Sequence, residues 1–320
     1  MVDDGARKLA ATQICPGFCG RVTSQWSPGN ISYSSCQACS WGYRSIDKFL
    51  CTACEEPLLL YDWLYLTFIA VIPLLMHNFF IYFYSKYSNR LYQVSQYLCC
   101  FAECFISAVV SVLIMPPQGS FKLYGCSKTH LREWYPIFYN PVINHSHALR
   151  CTNEIVFPLY SLPFIYFAMV LVSLLILRSC LYLTLLRGTR VSSRPYYAAL
   201  YAIPLISLCH SLLAGILYFI FPYVALLFSL GLNALHMALE LNKTIRRMCL
   251  EMITKPHNIS ILIVHMALFG FSLFSLLSSR PISTDMVSIA VTVIILVPLP
   301  SIFYIFTVGI TFPVYVHSSS

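Results

Sequence analysis

Four cysteines form two CxxC pairs, Cys36/Cys39 and Cys51/Cys54, in the stretch CQACSWGYRSIDKFLCTACEEP at residues 36–57. Thiolates in such pairs either close around zinc or oxidise to disulfides, and the redox compartment decides between them. Eleven residues separate the pairs. Zinc ribbons usually place about 15–20 there, which weakens the metal reading without removing it. A redox CxxC would need a surrounding βαβ pattern, which neither pair has.

A second set of chemistry-bearing residues lies inside apolar segments: His77, Asn78, Glu103, His210, Asn233, His236, Glu240 and His265. An ionisable group at membrane depth is by default a functional hypothesis. Three histidines and an acid could bind a metal or relay protons. His236 and Glu240 are four apart and share a helix face. The reading we favour is hydrogen bonding between helices, because these groups are scattered about one per segment and Glu240 stands at a segment end. No HExxH, G-x-S-x-G, P-loop or dinucleotide fingerprint is present, and the HSH at 145–147 lacks a third ligand nearby. We therefore expect no catalytic residue, no cofactor and no enzymatic activity. Cys99, Cys100, Cys104, Cys180, Cys209 and Cys249 lie in or beside the apolar segments. Packing is their expected role, with palmitoylation an option for Cys180 and Cys249.

The elements that must position these residues are membrane spans. The chain has 320 residues, 58% hydrophobic and only 10% charged. A soluble domain carries about 25% charged residues. The net charge of +8 then marks cytosolic loops rather than a nucleic-acid partner. A span needs about 20 apolar residues, and seven segments qualify: 61–84, 94–115, 155–177, 196–221, 223–240, 258–278 and 287–307. The fourth and fifth meet at Pro222, which lacks a backbone donor, and a tight helical hairpin is expected there. One long kinked segment is the alternative, and it would reverse everything after it. Glu103 makes the second span the weakest. A central acid costs about 2.5–3.5 kcal/mol and each large apolar residue returns about 0.3–0.6, so neighbouring helices must help to hold it. The start, MVDDGARKLAATQ, has no secretory leader pattern. The first span is expected to act as the signal-anchor.

Orientation follows from Lys and Arg. With the N-terminus outside, the inner loops 85–93, 178–195 and 241–257 carry Lys86, Arg90, Arg178, Arg187, Arg190, Arg194, Lys243, Arg246, Arg247 and Lys255. That density places the C-terminus in the cytosol. Sequons at Asn30 and Asn144 fall outside and are glycosylation candidates; those at Asn242 and Asn258 fall in or beside an inner loop. The tail cysteines Cys15, Cys19, Cys36, Cys39, Cys51 and Cys54 would then be lumenal. Their even number, in a module too small to build a good core, points to three disulfides with fifteen possible pairings. Zinc at Cys36, Cys39, Cys51 and Cys54 stays the alternative. Cys126 and Cys151 are the cysteines of the outer loop 116–154 and are expected to close it as a disulfide.

A receptor is disfavoured. The fourth and fifth spans leave no loop for a ligand vestibule, the third ends LILRSCL without an acidic-Arg-aromatic triplet, and the last reads VPLPSIFYIF. A transporter would be helped by an inverted repeat, and none is evident.

Six stretches in order carry a resemblance: LYDWLYL (60–66), WYPIFYNP (134–141), CTNEIVFPLY (151–160), YAALY (197–201), GILYFIFPY (215–223) and VPLPSIFYIFT (297–307). With CPGFCG and the CxxC pairs of the tail, the chain resembles the Jun-kinase-associated membrane protein (JAMP) family over most of its length. The resemblance implies a seven-span protein of the endoplasmic reticulum. It implies an adaptor that brings proteasomes and membrane ubiquitin ligases to that membrane under unfolded-protein stress and prolongs the activity of Jun N-terminal kinase.

Partners would need a cytosolic surface. Arg246, Arg247, Leu250 and Met252 in RRMCLEM resemble a kinase docking peptide. A basic patch on the anionic leaflet, worth about 1 kcal/mol per charge, is the favoured competing reading. The tail VGITFPVYVHSSS has no Lys, Arg, Asp or Glu and departs from what the family leads one to expect. The expected architecture is an all-α polytopic membrane protein of about seven transmembrane helices. It has a lumenal cysteine-rich module at 1–57, a helical domain at 58–308 and a short cytosolic tail at 309–320. The alternative function is a transporter or membrane enzyme using Glu103 and the intramembrane histidines.

Overall fold

A computed structural model describes residues 14–27, 30–45, 47–85, 90–126, 130–139, 154–184, 192–239, 245–278 and 286–311. Its long elements are helices: α1 (Leu60–Tyr84), α2 (Arg90–Ile114), α3 (Ser161–Thr184), α4 (Arg194–Leu239), α5 (Ile245–Thr254), α6 (Pro256–Ser278), α7 (Met286–Leu296) and α8 (Leu299–Thr311). Six helical stretches among the described residues are long and apolar enough to cross a membrane, with α7 and α8 forming one between them. The chain is an all-α polytopic membrane protein with a small strand-and-disulfide module at its N-terminus. It divides into two units, Met1–Ile216 and Leu217–Ser320.

The first unit also carries three antiparallel strand pairs. Strand β1 (Thr23–Ser27) pairs with β2 (Asn30–Tyr33), and β3 (Tyr43–Ser45) with β4 (Cys51–Ala53). Strand β5 (Glu56–Pro57) pairs with β6 (Tyr124–Gly125), which belongs to the loop after α2. Such short pairs are marginal alone, and disulfides tie them: Cys15–Cys36, Cys39–Cys51 and Cys54–Cys126. Cys19 is also disulfide-bonded. The expected Cys126–Cys151 closure is corrected, because Cys126 is bonded to Cys54. The β5–β6 register sets Glu56 against Gly125, and so brings together the two cysteines flanking that pair. Cys151 lies outside the described residues.

The module is thus stapled to the α2–α3 loop rather than standing alone. Arg44 is salt-bridged to Glu133 and donates from Nη1 to the Cys126 carbonyl at 2.9 Å. The Trp41 indole meets Phe157 edge-on, with ring centroids 5.7 Å apart.

Helix α2 is polar inward and apolar outward. Leu91, Val94, Leu98, Phe101 and Phe105 are exposed at helical spacing. Gln96, Cys100, Glu103, Cys104, Ser107 and Ser111 form the buried stripe opposite. In lipid the outer face needs only to be apolar, and buried polar groups bond between helices. Ser107 Oγ lies 3.0 Å from Ser173 Oγ of α3, and Tyr166 of α3 donates to the Ala70 carbonyl of α1 at 2.8 Å. Those small and polar residues let α1, α2 and α3 approach closely. A cavity of about 140 Å³ lined by Trp63, Ala70, Ser111 and Tyr166 lies among them.

The hairpin expected at Pro222 is replaced by one helix, α4, of 46 residues. Proline removes a single intrahelical bond, and apolar helices tolerate that loss because water is absent to capture freed groups. Pro73 within α1 shows the same tolerance.

In the second unit Ser229 Oγ lies 2.8 Å from Nδ1 of His265, and Asn233 donates to Ser301 Oγ at 3.2 Å. The Phe221 and Phe271 rings are 6.2 Å apart. Met237 and Met252 form a small apolar cluster with Leu262, Tyr304 and Ile305.

Candidate functional site

Glu103 sits on the buried stripe of α2 and is completely buried. Arg178 of α3 reaches it with two hydrogen bonds, Nε to Oε1 at 2.8 Å and Nη2 to Oε2 at 3.2 Å. Cys99 donates its thiol to Oε1 at 3.3 Å. His77 of α1 brings Nδ1 to 3.6 Å from Oε2, with both residues buried.

The sequence reading placed Arg178 in a cytosolic loop. That is corrected: α3 continues to Thr184, and Arg178 is a wholly buried partner of the acid. The physical reason is mutual need. An unpaired charge in a low-dielectric interior costs several kcal/mol, so acid and base are retained together. The available signal was an arginine within the apolar run LILRSCL, matched by one acid in the preceding span.

One turn of α2 also carries Cys100 and Cys104. A ring nitrogen of His77 and the sulfurs of Cys100 and Cys104 all lie within 4.8 Å of one another, and all three residues are buried. Of the eight groups singled out from sequence inside apolar segments, His77 and Glu103 come together. Cys100, Cys104 and Arg178 were passed over as packing or loop residues.

The other histidines have their own surroundings. His210 sets Nε2 3.0 Å from the Tyr160 carbonyl and packs among Tyr160, Phe164 and Phe167. His265 is bonded to Ser229, and His236 lies edge-on to His257 with rings 6.0 Å apart. Glu240 is outside the described residues.

The zinc alternative at Cys36, Cys39, Cys51 and Cys54 is corrected, since each of those sulfurs is in a disulfide. Four of the six tail cysteines pair within the tail, as Cys15–Cys36 and Cys39–Cys51, while Cys54 leaves it for Cys126. Asn30 begins β2, and Asn144 lies outside the described residues. The buried amide of Asn258 donates to the Glu251 carbonyl at 3.1 Å.

The docking residues do not form one extended exposed peptide. They stand on helix α5, where Arg246 and Leu250 are exposed. Met252 is turned inward against Met237. Exposed Ile253 replaces it beside Leu250.

Outside the helices, Glu154 organises the approach to α3. Its Oε1 accepts from the Ser161 backbone N–H at 3.1 Å and its Oε2 from the Trp41 indole at 2.5 Å. Burial pushes its carboxyl above the usual glutamate range, and those donors pull against the shift without cancelling it.

These features define a multi-span α-helical membrane protein whose N-terminal module is stapled by disulfides to the α2–α3 loop and whose first helices enclose an ion pair. Residues 15–313 match the family model described as JNK1/MAPK8-associated membrane protein, and the chain belongs to that family. It is 39% identical over 311 residues to a JNK1/MAPK8-associated membrane protein homolog of Caenorhabditis elegans, covering 93% of this chain and 94% of the relative. It is 33% identical over 301 residues to the JNK1/MAPK8-associated membrane protein of Homo sapiens, covering 92% and 93%. No solved structure matches it.

Proposed function

We propose that this protein is a non-enzymatic adaptor of the endoplasmic reticulum membrane that associates with the kinase JNK1/MAPK8. We further propose that it links ubiquitin ligases and proteasomes to degradation at that membrane under unfolded-protein stress. The observation that carries the reading is end-to-end likeness, at 33–39% identity, to relatives named for that kinase association.

The orientation is part of the proposal. The N-terminal module faces the lumen, where its disulfides persist. Both ends of α4 have basic flanks, Arg187 and Arg190 before it with Arg194 as its first residue, and Lys243, Arg246 and Arg247 after it. Its 46 residues measure roughly 69 Å at about 1.5 Å each, over twice the ~30 Å hydrocarbon core. Basic flanks on both sides and that apolar length support two crossings in the membrane, which requires α4 to fold back near Pro222 there instead of running on as the one continuous helix, with α5 and the C-terminus cytosolic. The exposed face of α5, with Arg246, Leu250 and Ile253, is then the kinase-facing and lipid-facing surface.

The test is proximity labelling from a ligase fused to the C-terminus, with and without stress in the endoplasmic reticulum. Enrichment of the kinase, proteasome and ubiquitin-ligase subunits is expected. Failure to enrich any of them in either state refutes the reading. Glycans at Asn30 should stay sensitive to endoglycosidase H. Glu103→Gln separates the transporter alternative: an adaptor that still folds keeps its associations, and a proton-coupled transporter loses flux.

A further inference from the structure

We propose that His77, Cys100 and Cys104 form a buried binding site for one thiophilic d10 metal ion, Zn(II) or Cu(I). The three donor atoms lie within 4.8 Å of one another inside the α1–α2–α3 bundle. Around an ion bound at ~2.3 Å to sulfur and ~2.0–2.1 Å to nitrogen, donors of one tetrahedral or trigonal shell stand roughly 3.5–4 Å apart. Small rotamer adjustments close the remaining gap. Two thiols and an imidazole are the donor set that selects these ions over hard cations.

A second observation points the same way. Nε2 of His77 has no hydrogen-bond partner among the described residues, although the side chain is 1% exposed. Buried polar atoms are normally paired, and an unpaired one calls for an ion or water. The amide of Gln96, one turn before Cys100, is also buried and unpartnered among those residues. Cys100 makes a long contact to the Leu74 carbonyl, at 4.0 Å. Spacing of four residues sets Cys100 and Cys104 on one face of α2. Their neighbour Cys99 points elsewhere and is engaged by Glu103.

The surroundings are those of a supported ligand. His77 Nδ1 faces the Glu103 carboxylate at 3.6 Å. A ligating histidine commonly turns its second nitrogen to a carboxylate, which fixes the ring and strengthens the donor. Arg178 holds that carboxylate in place through two hydrogen bonds. The charges balance as well. Zn(II) displaces two thiol protons, and the two thiolates neutralise it beside an ion pair that is already neutral. Cu(I) is neutralised by one thiolate, with the second sulfur staying protonated.

The test uses the full chain in lipid nanodiscs under reducing conditions, loaded in separate arms with Zn(II) or with Cu(I) and then desalted. Elemental analysis should find an ion retained in one arm or both. Cys100→Ser/Cys104→Ser and His77→Ala should abolish retention, Cys99→Ser should preserve it, and Glu103→Gln should weaken affinity about 10–100-fold. Co(II) offered to the wild-type chain should give thiolate-to-metal charge-transfer absorption. Retention of neither ion overturns the site, as does equal retention by the double cysteine variant. Should the variants fail to fold, bound Co(II) without that absorption overturns it on the wild-type chain alone.

Discussion

Arg178 grips both carboxylate oxygens of Glu103, from Nε at 2.8 Å and Nη2 at 3.2 Å, with neither side chain exposed. This pairing resolves how the second span, with an acid at its centre, stays among lipid. The acid is presented to α3 and not to the bilayer.

Removing one partner leaves the other charged and buried. Arg178→Met alone should therefore lower stability by about 3–5 kcal/mol, whereas Glu103→Leu with Arg178→Met should recover most of the loss. Thermal unfolding in detergent, with the two single variants completing a double-mutant cycle, reads the coupling. Additive losses would contradict the pairing.

The bond between Cys54 and Cys126 closes a separation of 72 residues. A loop of that length contributes about 4 kcal/mol in the chain-entropy model. Cys54→Ser should lower the unfolding temperature and free the module for proteolysis. Peptide mapping without reductant should recover the Cys54–Cys126 linked pair.

Glu154 sets a pH dependence whose sign follows from burial. Its carboxyl is pushed above its unfolded value, so the folded state holds the proton more tightly. The stabilisation is fully present below the unfolded glutamate value of about 4.3 and declines as pH rises through the folded value. Stability of the wild type minus that of Glu154→Gln should fall across that window. A difference that rises with pH would reverse the assignment.

Two glycines of α4 should respond oppositely to alanine. A Cβ at Gly215 would stand 2.6 Å from Trp134 Cβ and 2.8 Å from Tyr135 Cε2. Gly215→Ala should cost about 1–3 kcal/mol through overpacking. Gly231 has nothing within 4 Å of such an atom, and Gly231→Ala should gain about 0.5–1 kcal/mol from helix propensity. Paired unfolding curves check both signs.

Helix α5 separates packing from display. Met252→Ala should cost about 2–5 kcal/mol, because the side chain fills the cluster with Met237. Leu250→Glu and Ile253→Glu alter exposed positions, and should leave unfolding unchanged while reducing co-purification of the kinase. Unchanged kinase recovery in both would remove α5 as the docking surface.

Membrane class and a disulfide-bearing N-terminal module were determined by the sequence, because each rests on local composition. Runs of about twenty apolar residues cannot be read otherwise, and His77 and Glu103 announce themselves by standing inside them. Tertiary structure decided what depends on partners distant along the chain. Cys126 reaches back to Cys54, and neither spacing nor parity chooses among pairings. Arg178 looks like a loop cation until α3 is seen to run on to Thr184 and lay it against Glu103. Pro222 reads as a break, yet a continuous helix survives it because the apolar setting offers its backbone nothing better. Cys100 and Cys104 look like packing residues. They become a donor pair only where α1 lays His77 against the inward face of α2, a contact set by helix packing between separate spans.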